Sequence, residues 1–316
     1  MSVGVVLPYW LDRPDGEAVD IAVEADRLGF GTLWVGEMAT FDAFALATAI
    51  GLRTKDIRLR VGPLAAGVRS PVALALGVSS VAALTGRRVD LALGASSPAI
   101  VAGWHDRPWA GAAPRMRETV RAVRSLLTGE RIDVDGPHVR SHGFRLRAPV
   151  PGATVSVAAF GPAMLRVAAE EADEVVLNLV TPEQVAGVRK VVDEHAARAG
   201  RAAPRLAVWV TAAVDPGAGA LRQVSEQLAL YLRAPGYAEM FVELGFGTVV
   251  ARAKAGVPRR ELAVPPELPN AVCALGSAAE VRERIAAYHH AGADHVGVAP
   301  STADDPAGRR VLAAVG

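Results

Sequence analysis

The stretch from Arg60 to Pro98 constrains the fold more than any other part of this sequence. It contains an apolar run, a glycine turn, a helical segment that begins at Ser70-Pro71, a second apolar run and a second glycine turn. Proline is tolerated in the first turn of a helix because its missing N–H would have no partner there. This order, with small residues after each apolar run, is typical of parallel strand–helix–strand units.

The same pattern recurs along the whole chain. Short apolar runs without alternation are typical of strands buried on both faces, and here they alternate with longer segments of helical period. We predict eight strands, the number that closes a β/α barrel: 3–7, 32–35, 57–61, 89–93, 155–158, 175–177, 206–212 and 295–298. The sequence therefore predicts an α/β fold, a TIM (β/α)8 barrel that forms a single domain over residues 1–316.

Two segments interrupt this repeat. Residues 131–152 follow the fourth strand, residues 234–276 follow the seventh, and both are rich in glycine and proline. We expect irregular insertions that shape the mouth of a pocket, because long loops in compact domains are more often functional than idle. The alternative is that they are solvent loops or subunit contacts. Elsewhere local signals are regular: Gly29 ends the first helix, and Ser277 with Glu280 has capping-box spacing.

Composition excludes several classes of protein. The net charge is +1, with 34 basic and 33 acidic residues, so there is no electrostatic stripe for nucleic acid. Cys273 is the single cysteine; an intramolecular disulfide is therefore impossible, a buried thiol is expected, and a reducing cytoplasmic compartment fits best. No segment has the signal-peptide pattern or the roughly 20 apolar residues of a membrane span. With 51% hydrophobic and 21% charged residues, we expect a homodimer, since one barrel core cannot bury so much apolar surface.

A set of motifs in a characteristic order adds a family resemblance. They include Leu-Gly-Phe-Gly-Thr-Leu-Trp-Val-Gly-Glu at 28–37 and Leu-Thr-Gly-Arg-Arg-Val-Asp-Leu-Ala-Leu-Gly at 84–94, and the other matching segments are 24–27, 42–45, 59–63, 69–72, 157–165, 172–176 and 291–296. Together they make the chain resemble the bacterial luciferase-like flavin and deazaflavin oxidoreductases. Residues 231–246 resemble a segment usual in the branch that depends on the deazaflavin coenzyme F420.

The resemblance implies a cofactor site at the ends of three strands. A flavin-like ring needs an apolar slot, and its phosphate needs N–H and hydroxyl donors. The slot is expected at Gly62-Pro-Leu64-Ala65-Ala66, with a non-proline cis peptide at Leu64–Ala65; an ordinary small-residue turn is the alternative. The phosphate is expected near Gly94-Ala95-Ser96-Ser97 and Ala159-Phe160-Gly161-Pro162-Ala163. A generic barrel would instead bind phosphate near Ser301 and Gly276.

Two residues are candidates for proton transfer to a substrate: Glu37, at the end of the second strand, and His105. Glu37 has an alternative role as a carboxylate that anchors its loop, and His105 could be a solvent-exposed histidine. Met38 stands where many relatives carry a histidine, and Ser97 where the sugar-phosphate dehydrogenases of this branch carry a catalytic glutamate, so both argue against that activity. We assign Met38, Trp104, Trp109 and Tyr237 to the substrate pocket, although the two tryptophans could equally serve an interface.

We therefore expect an F420-dependent oxidoreductase that moves a hydride between the deazaflavin and a small organic substrate, most simply as a reductase. The first alternative is an FMN-dependent monooxygenase with a partner reductase. A third possibility, motivated by Met38 and Ser97, is a cofactor-binding protein without catalysis. The histidines lack metal-ligand spacing, so no metal is predicted, and there is no hydrolase elbow, Walker loop or Rossmann fingerprint.

Overall fold

The computed structural model describes residues 1–37 and 39–316. Its strands are β1 (Ser2–Val6), β2 (Thr32–Val35), β3 (Arg58–Ala65), β4 (Val89–Gly94), β5 (Asp133–Asp135), β6 (Arg140–His142), β7 (Val155–Ala158), β8 (Glu174–Asn178), β9 (Arg205–Val214), β10 (Ala274–Gly276) and β11 (His295–Pro300). All eight predicted strands are confirmed, with ends that differ by a few residues. Around the barrel the order is β1, β2, β3, β4, β7, β8, β9 and β11, all parallel, and β11 pairs with β1 to close the barrel.

Helices surround the barrel and cover part of its mouth. They are α1 (Glu17–Arg27), α2 (Ala43–Gly51), α3 (Pro71–Thr85), α4 (Ala112–Leu127), α5 (Gly161–Glu171), α6 (Pro182–Arg198), α7 (Ala218–Tyr231), α8 (Tyr237–Glu243), α9 (Gly247–Lys254), α10 (Glu267–Val272), α11 (Ala278–His290) and α12 (Arg309–Val315). A π-helical segment covers Ala99–Trp104, and 3-10 turns cover Arg259–Glu261 and Pro306–Gly308. Within the described residues, no helix combines the length and apolar character needed to cross a membrane.

The predicted helix ends are confirmed. Ser70 caps α3 by accepting a hydrogen bond from the Ala73 amide, and Ser277 and Glu280 form a reciprocal capping box at the start of α11. Gly29, with φ of +81°, follows the end of α1. The sequence predicts these helix ends because each cap involves residues only a few positions apart.

The two insertions are more regular than predicted. Within 131–152, β5 and β6 form an antiparallel hairpin, and within 234–276 the chain forms α8, α9, α10 and β10. The expectation of irregular loops is therefore wrong. Helices of six to eight residues are too short to show a clear helical period. Strand β8 pairs with the first half of β9, up to Trp209, and β10 pairs with Ala212–Val214 at the end of β9. Strand β10 therefore extends the barrel wall past the end of β8.

The barrel interior contains charged and aromatic side chains. Arg58 and Arg60 form ion pairs with Asp90 and Glu174, respectively, and the Arg60 guanidinium lies 4.7 Å from the ring centroid of Trp34. Above them, Trp34 and Trp209 pack edge to face with centroids 5.4 Å apart. Buried charges need such partners, because an unpaired charge in the barrel interior would be strongly destabilising. The buried ion pairs fill the bottom of the barrel beneath the two tryptophans and leave the carboxyl ends of the strands for a site.

Candidate active site

The turns after β3, β4 and β7 meet at one edge of the barrel mouth. Ala65 pairs with Gly94 in the sheet, and a Cβ placed on Gly94 would lie 3.3 Å from the Cβ of Pro63 and 3.7 Å from that of Ala158. The predicted cofactor residues on these three turns are therefore neighbours in space. Small residues at all three positions let a flat ring approach the backbone.

The end of β3 has a cis peptide, but not where it was predicted. The cis bond joins Gly62 and Pro63, and the sheet register shifts between Val61 and Leu64, so the expectation of a non-proline cis bond at Leu64–Ala65 is wrong. Gly62 has φ of +120°, and a Cβ there would lie 2.1 Å from the carbonyl oxygen of Ala92. The side chain of Leu64 is buried in the core, so only its backbone can face a ligand.

The start of α5 presents unpaired backbone donors. Gly161, Pro162 and Ala163 are exposed, and within the described part of the chain the amides of Gly161 and Ala163 have no acceptor. Phe160 is half-buried beside them, whereas Ala159 is fully buried and its amide bonds the carbonyl of Val176. Free amides at the start of an eleven-residue helix attract an anion.

The β4 turn lies beside this helix start. Ser96 is exposed with φ of +66°, Ala95 and Ser97 are half-buried, and the Ser97 hydroxyl accepts a hydrogen bond from the amide of Ile100. A hydroxyl that accepts one hydrogen bond still has a proton to donate. Two hydroxyl donors therefore remain on this turn.

The alternative phosphate position, after the last strand, is already occupied by protein contacts. The hydroxyl of Ser301 donates to Gln223 at 2.7 Å, and that of Thr302 donates to the carboxylate of Glu17 at 2.8 Å. Gln223 also accepts from the amides of Thr302 and Ala303. Because these donors are already hydrogen-bonded and the Glu17 carboxylate is adjacent, the turn after β11 is a poor site for an anion.

Glu37 is held by neighbouring residues as a hydrogen-bond acceptor. Arg69 forms a bidentate ion pair with it, donating from Nη2 to Oε1 at 2.7 Å and from Nη1 to Oε2, and the amide of Ala43 donates to Oε1 at 3.2 Å. Arg69 also bonds Asp42, which caps α2. A carboxylate held by so many donors favours the anchoring role over proton transfer.

The other predicted pocket residues are not brought together with Glu37. Trp104 and His105 are exposed to solvent. Trp109 lines a small cavity of about 10 Å³ with Ala66, Ala95 and Arg115, against the β3 and β4 turns. The prediction for Met38 lies outside the described residues.

Tyr237 lies at the mouth, on the side of β8. Its ring packs against Phe160 and Tyr231 with centroids 4.5 and 4.6 Å away, and Asn178 donates a hydrogen bond from Nδ2 to its hydroxyl at 3.1 Å. Gly236 makes room for this contact, since a Cβ there would lie 3.0 Å from the Cβ of Phe160. Burial raises the pKa of both Tyr231 and Tyr237, so both hydroxyls stay protonated at neutral pH.

Tyr9, just beyond β1, is a site residue that sequence reasoning missed. Its hydroxyl is buried and has no hydrogen-bond partner among residues 1–37 and 39–316. Burial raises its pKa above the ordinary value, and the proximity of Tyr231 and Glu37 raises the pKa further. Gly36 accommodates the hydroxyl, since a Cβ there would lie 2.4 Å from it. The sequence feature that could have indicated Tyr9 is its position just after a barrel strand, because functional residues of β/α barrels lie at these strand ends.

Comparisons with known proteins bear on the family and the fold of this chain. The family model for luciferase-like monooxygenase matches residues 1–295. A Mycobacterium tuberculosis protein with the provisional name coenzyme F420-dependent oxidoreductase is 26% identical over 96% of both chains. Among solved structures, an F420-dependent secondary alcohol dehydrogenase, in complex with an F420-acetone adduct, superposes with a TM-score of 0.80 at 18% identity over 100% of this chain and 99% of the other.

A flavin enzyme is also structurally similar. The oxygenating constituent of 3,6-diketocamphane monooxygenase from Pseudomonas putida, solved with FMN, superposes with a TM-score of 0.73 at 20% identity, and the match covers 100% of this chain and 97% of the other. These structural likenesses support the barrel fold. Because the family model spans nearly the whole sequence, the chain belongs to the luciferase-like monooxygenase family and is an oxidoreductase.

Proposed function

We propose that this protein transfers a hydride between coenzyme F420 and a small organic substrate, acting as a reductase. The observation that carries the proposal is the exposed start of α5, with unpaired amides at Gly161 and Ala163, beside the serine hydroxyls of the β4 turn. An anionic cofactor tail fits this group of donors. The F420-dependent name of the M. tuberculosis relative supports the same choice of cofactor.

The residues at the mouth fit such a group. Pro63, Ala65 and Ala66 supply an apolar wall, Gly94 a close backbone approach, and Ser96 and Ser97 hydroxyl donors. Reduced deazaflavin supplies a hydride when it is bound. The chain itself binds the tail through α5 and the β4 turn, and orients the substrate against the aromatic side chains of Phe160 and Tyr237.

FMN-dependent monooxygenation is the second candidate, because the P. putida enzyme with FMN has the same fold. Both flavin and deazaflavin have a phosphorylated tail, so the α5 site serves either cofactor. The chemistry differs: reduced FMN reacts with oxygen, whereas reduced deazaflavin does not readily do so. A cofactor-binding protein without catalysis remains the third candidate.

A parallel fluorescence titration with oxidised F420 and with FMN tests the proposal. We expect micromolar or tighter binding of F420 and at least tenfold weaker binding of FMN, followed by oxidation of reduced F420 without oxygen consumption when carbonyl or unsaturated substrates are added. A preference for FMN with oxygen uptake on reduction would instead identify a monooxygenase. Tight F420 binding without turnover over a broad substrate panel would leave only the binding role.

A further inference from the structure

Two buried donors at the barrel mouth have no protein partner in the described ranges 1–37 and 39–316. They are the hydroxyl of Tyr9, after β1, and the indole N–H of Trp209, on β9. Trp209 is paired in the sheet with Asn178, the last residue of β8, and with Gly297 of β11. It therefore lies at the level where β8 ends. A buried donor without a partner is destabilising by about 1–3 kcal/mol, so such groups call for an explanation.

The neighbouring polar groups do not pair with these donors. The amide of Asn178 donates to Tyr237, and the carboxylate of Glu37 accepts from Arg69 and from the amide of Ala43. Neither donor has an acceptor within hydrogen-bond distance among the described residues. A ligand that completes this arrangement carries an oxygen that accepts hydrogen bonds.

The charges at the mouth favour a neutral oxygen over a carboxylate. Glu37 is close enough to Tyr9 to affect its pKa, and an anionic ligand at Tyr9 would be repelled by that carboxylate. The nearby cation, Arg69, is committed to Glu37 and Asp42. A carbonyl oxygen, which is neutral and has two lone pairs, matches both the donors and the charge.

We propose that Tyr9 is the proton donor to a carbonyl substrate, and that the Trp209 N–H is a second donor available to a ligand at the mouth. The assignment rests on the proposed function, with reduced deazaflavin as the source of hydride. The carbonyl carbon gains the hydride, the C=O π bond breaks, and its electron pair passes to the oxygen. That oxygen takes the proton of Tyr9, and the tyrosinate recovers a proton from water, so the ketone or aldehyde becomes an alcohol.

Tyr9 is suited to this role by its surroundings. Burial raises the pKa of Tyr9, so the hydroxyl stays protonated at neutral pH but is a weaker acid than an exposed tyrosine. An alkoxide is a still stronger base than this tyrosinate, so the transfer remains favourable. Glu37 is held as an ion-paired acceptor and His105 is exposed. Tyr9 is therefore a better donor than either residue suggested by the sequence.

The first test is kinetic. Tyr9→Phe removes the hydroxyl and keeps the ring, so with reduced F420 and a panel of ketones and aldehydes we expect kcat to fall about 100-fold or more. The F420 dissociation constant should stay within about threefold of the wild-type value. Tyr288→Phe is the matched control: its hydroxyl donates to the backbone carbonyl of Val180, so it should lower the melting temperature and leave kcat unchanged.

The second test needs no turnover. Calorimetry on the wild type should show tighter binding of cyclohexanone than of methylenecyclohexane, which has the same shape without the oxygen, by about fivefold to tenfold. Tyr9→Phe should abolish this preference. Equal affinity of the wild type for the two compounds, including no binding of either, would overturn the proposal.

The two tests separate this proposal from the proposed function. Failure of the wild type to bind F420 rejects the deazaflavin reductase, whereas the ketone preference still reports on Tyr9. If F420 binds and carbonyls are reduced, but Tyr9→Phe keeps the wild-type kcat, the role of Tyr9 is wrong and the reductase stands. If F420 binds and no carbonyl is reduced, the substrate class proposed here is wrong.

Discussion

Single residues with special backbone conformations mark the cofactor edge of the barrel. Gly62, at φ of +120°, approaches the backbone of β4 more closely than any side chain allows, and Gly161 begins α5 at φ of +72°. L-amino acids rarely adopt this region, so glycine is required at both positions for the conformation itself. Around Gly161 the space is open, with no atom within 4 Å of an added Cβ. Open space beside free amides is what a ligand tail needs.

Replacing Gly161 should weaken cofactor binding. Gly161→Leu places a side chain in front of the α5 amides, and we expect F420 affinity to fall tenfold or more in a fluorescence titration. Gly200→Leu is the control, because Gly200 has a similar φ of +67° and equally open surroundings at the end of α6. It incurs the same backbone strain without touching the site. Equal affinities for the two variants would reject the phosphate position.

A buried histidine at the bottom of the barrel should make stability depend on pH. His295 Nε2 accepts from the Trp34 indole at 3.1 Å and its Nδ1 bonds the hydroxyl of Ser2, which defines a neutral ring. Burial, with the nearby Arg60 and Arg205, lowers the pKa of His295 to about 3. The unfolded chain binds a proton near the ordinary pKa of about 6.5, so stability falls as pH drops below that value.

The size of this effect is measurable by urea unfolding. From pH 8 to pH 5 we expect His295 to contribute a loss of about 2 kcal/mol in the free energy of unfolding. His295→Gln keeps an acceptor for Trp34 but does not titrate. The variant should therefore be less stable at pH 8 and show a flatter decline. Parallel pH dependence in the two proteins would contradict a neutral, buried His295.

At the scale of elements, close helix packing depends on glycine at one contact. Helices α2 and α3 meet at Gly77, where an added Cβ would lie 2.4 Å from the ring of Phe44. That ring also lies 5.9 Å from the guanidinium of Arg69, the residue that binds Glu37. The packing of two outer helices is thus linked to the loop after β2 at the barrel mouth.

Two glycine-to-alanine changes should differ in their effect on stability. Alanine favours a helix over glycine by about 1 kcal/mol, so Gly187→Ala in α6, which has open space around it, should stabilise the protein. Gly77→Ala gains the same propensity but must displace Phe44. We expect its free energy of unfolding to lie at least about 1 kcal/mol below that of Gly187→Ala, measured by chemical denaturation. Equal stabilisation would show that Phe44 moves freely.

At the scale of the whole molecule, one outer face carries no charge. The residues of α3 that face solvent are Ala73, Leu76, Ser80, Ala83 and Leu84, and those of α2 and its C-cap are Ala45, Ala49 and Leu52. In a chain with 21% charged residues, such a face is unusual for a surface in contact with water. It gives the homodimer predicted from composition a specific location, since a two-fold interface buries the same uncharged patch on both subunits.

Light scattering after size exclusion tests this location. We expect the wild type to be a dimer, and Leu76→Glu with Leu84→Glu to yield monomers, because four charges would be buried in the interface. Leu221→Glu is the control: Leu221, on α7, is 45% exposed, much as Leu76 is at 44%. It should remain dimeric. A monomeric wild type would refute the dimer, and a dimeric double variant would refute its location.

The sequence alone determined the barrel and the ends of many of its elements. Apolar runs and helical periods fall within single strands and helices, and the caps at Ser70 and Ser277 involve residues three apart. The sequence does not predict the short helices of the second insertion, because segments of six to eight residues show no clear helical period. The small-residue turns after β3, β4 and β7 were identified because every strand of a parallel barrel ends at the same face.

Only the tertiary structure decided which side chains meet at that face. Glu37 pairs with Arg69 across 32 positions, Ser301 bonds Gln223 across 78, and Trp209 lies opposite Gly297 of another strand. The sequence does not indicate a role for Tyr9, because whether a hydroxyl lacks a hydrogen-bond partner depends on all the groups packed around it. Local sequence patterns reflect the preference of a segment for a helix or a strand. Pairing, burial and charge at the site depend instead on contacts between residues far apart in the chain, and such contacts produce no periodic sequence pattern.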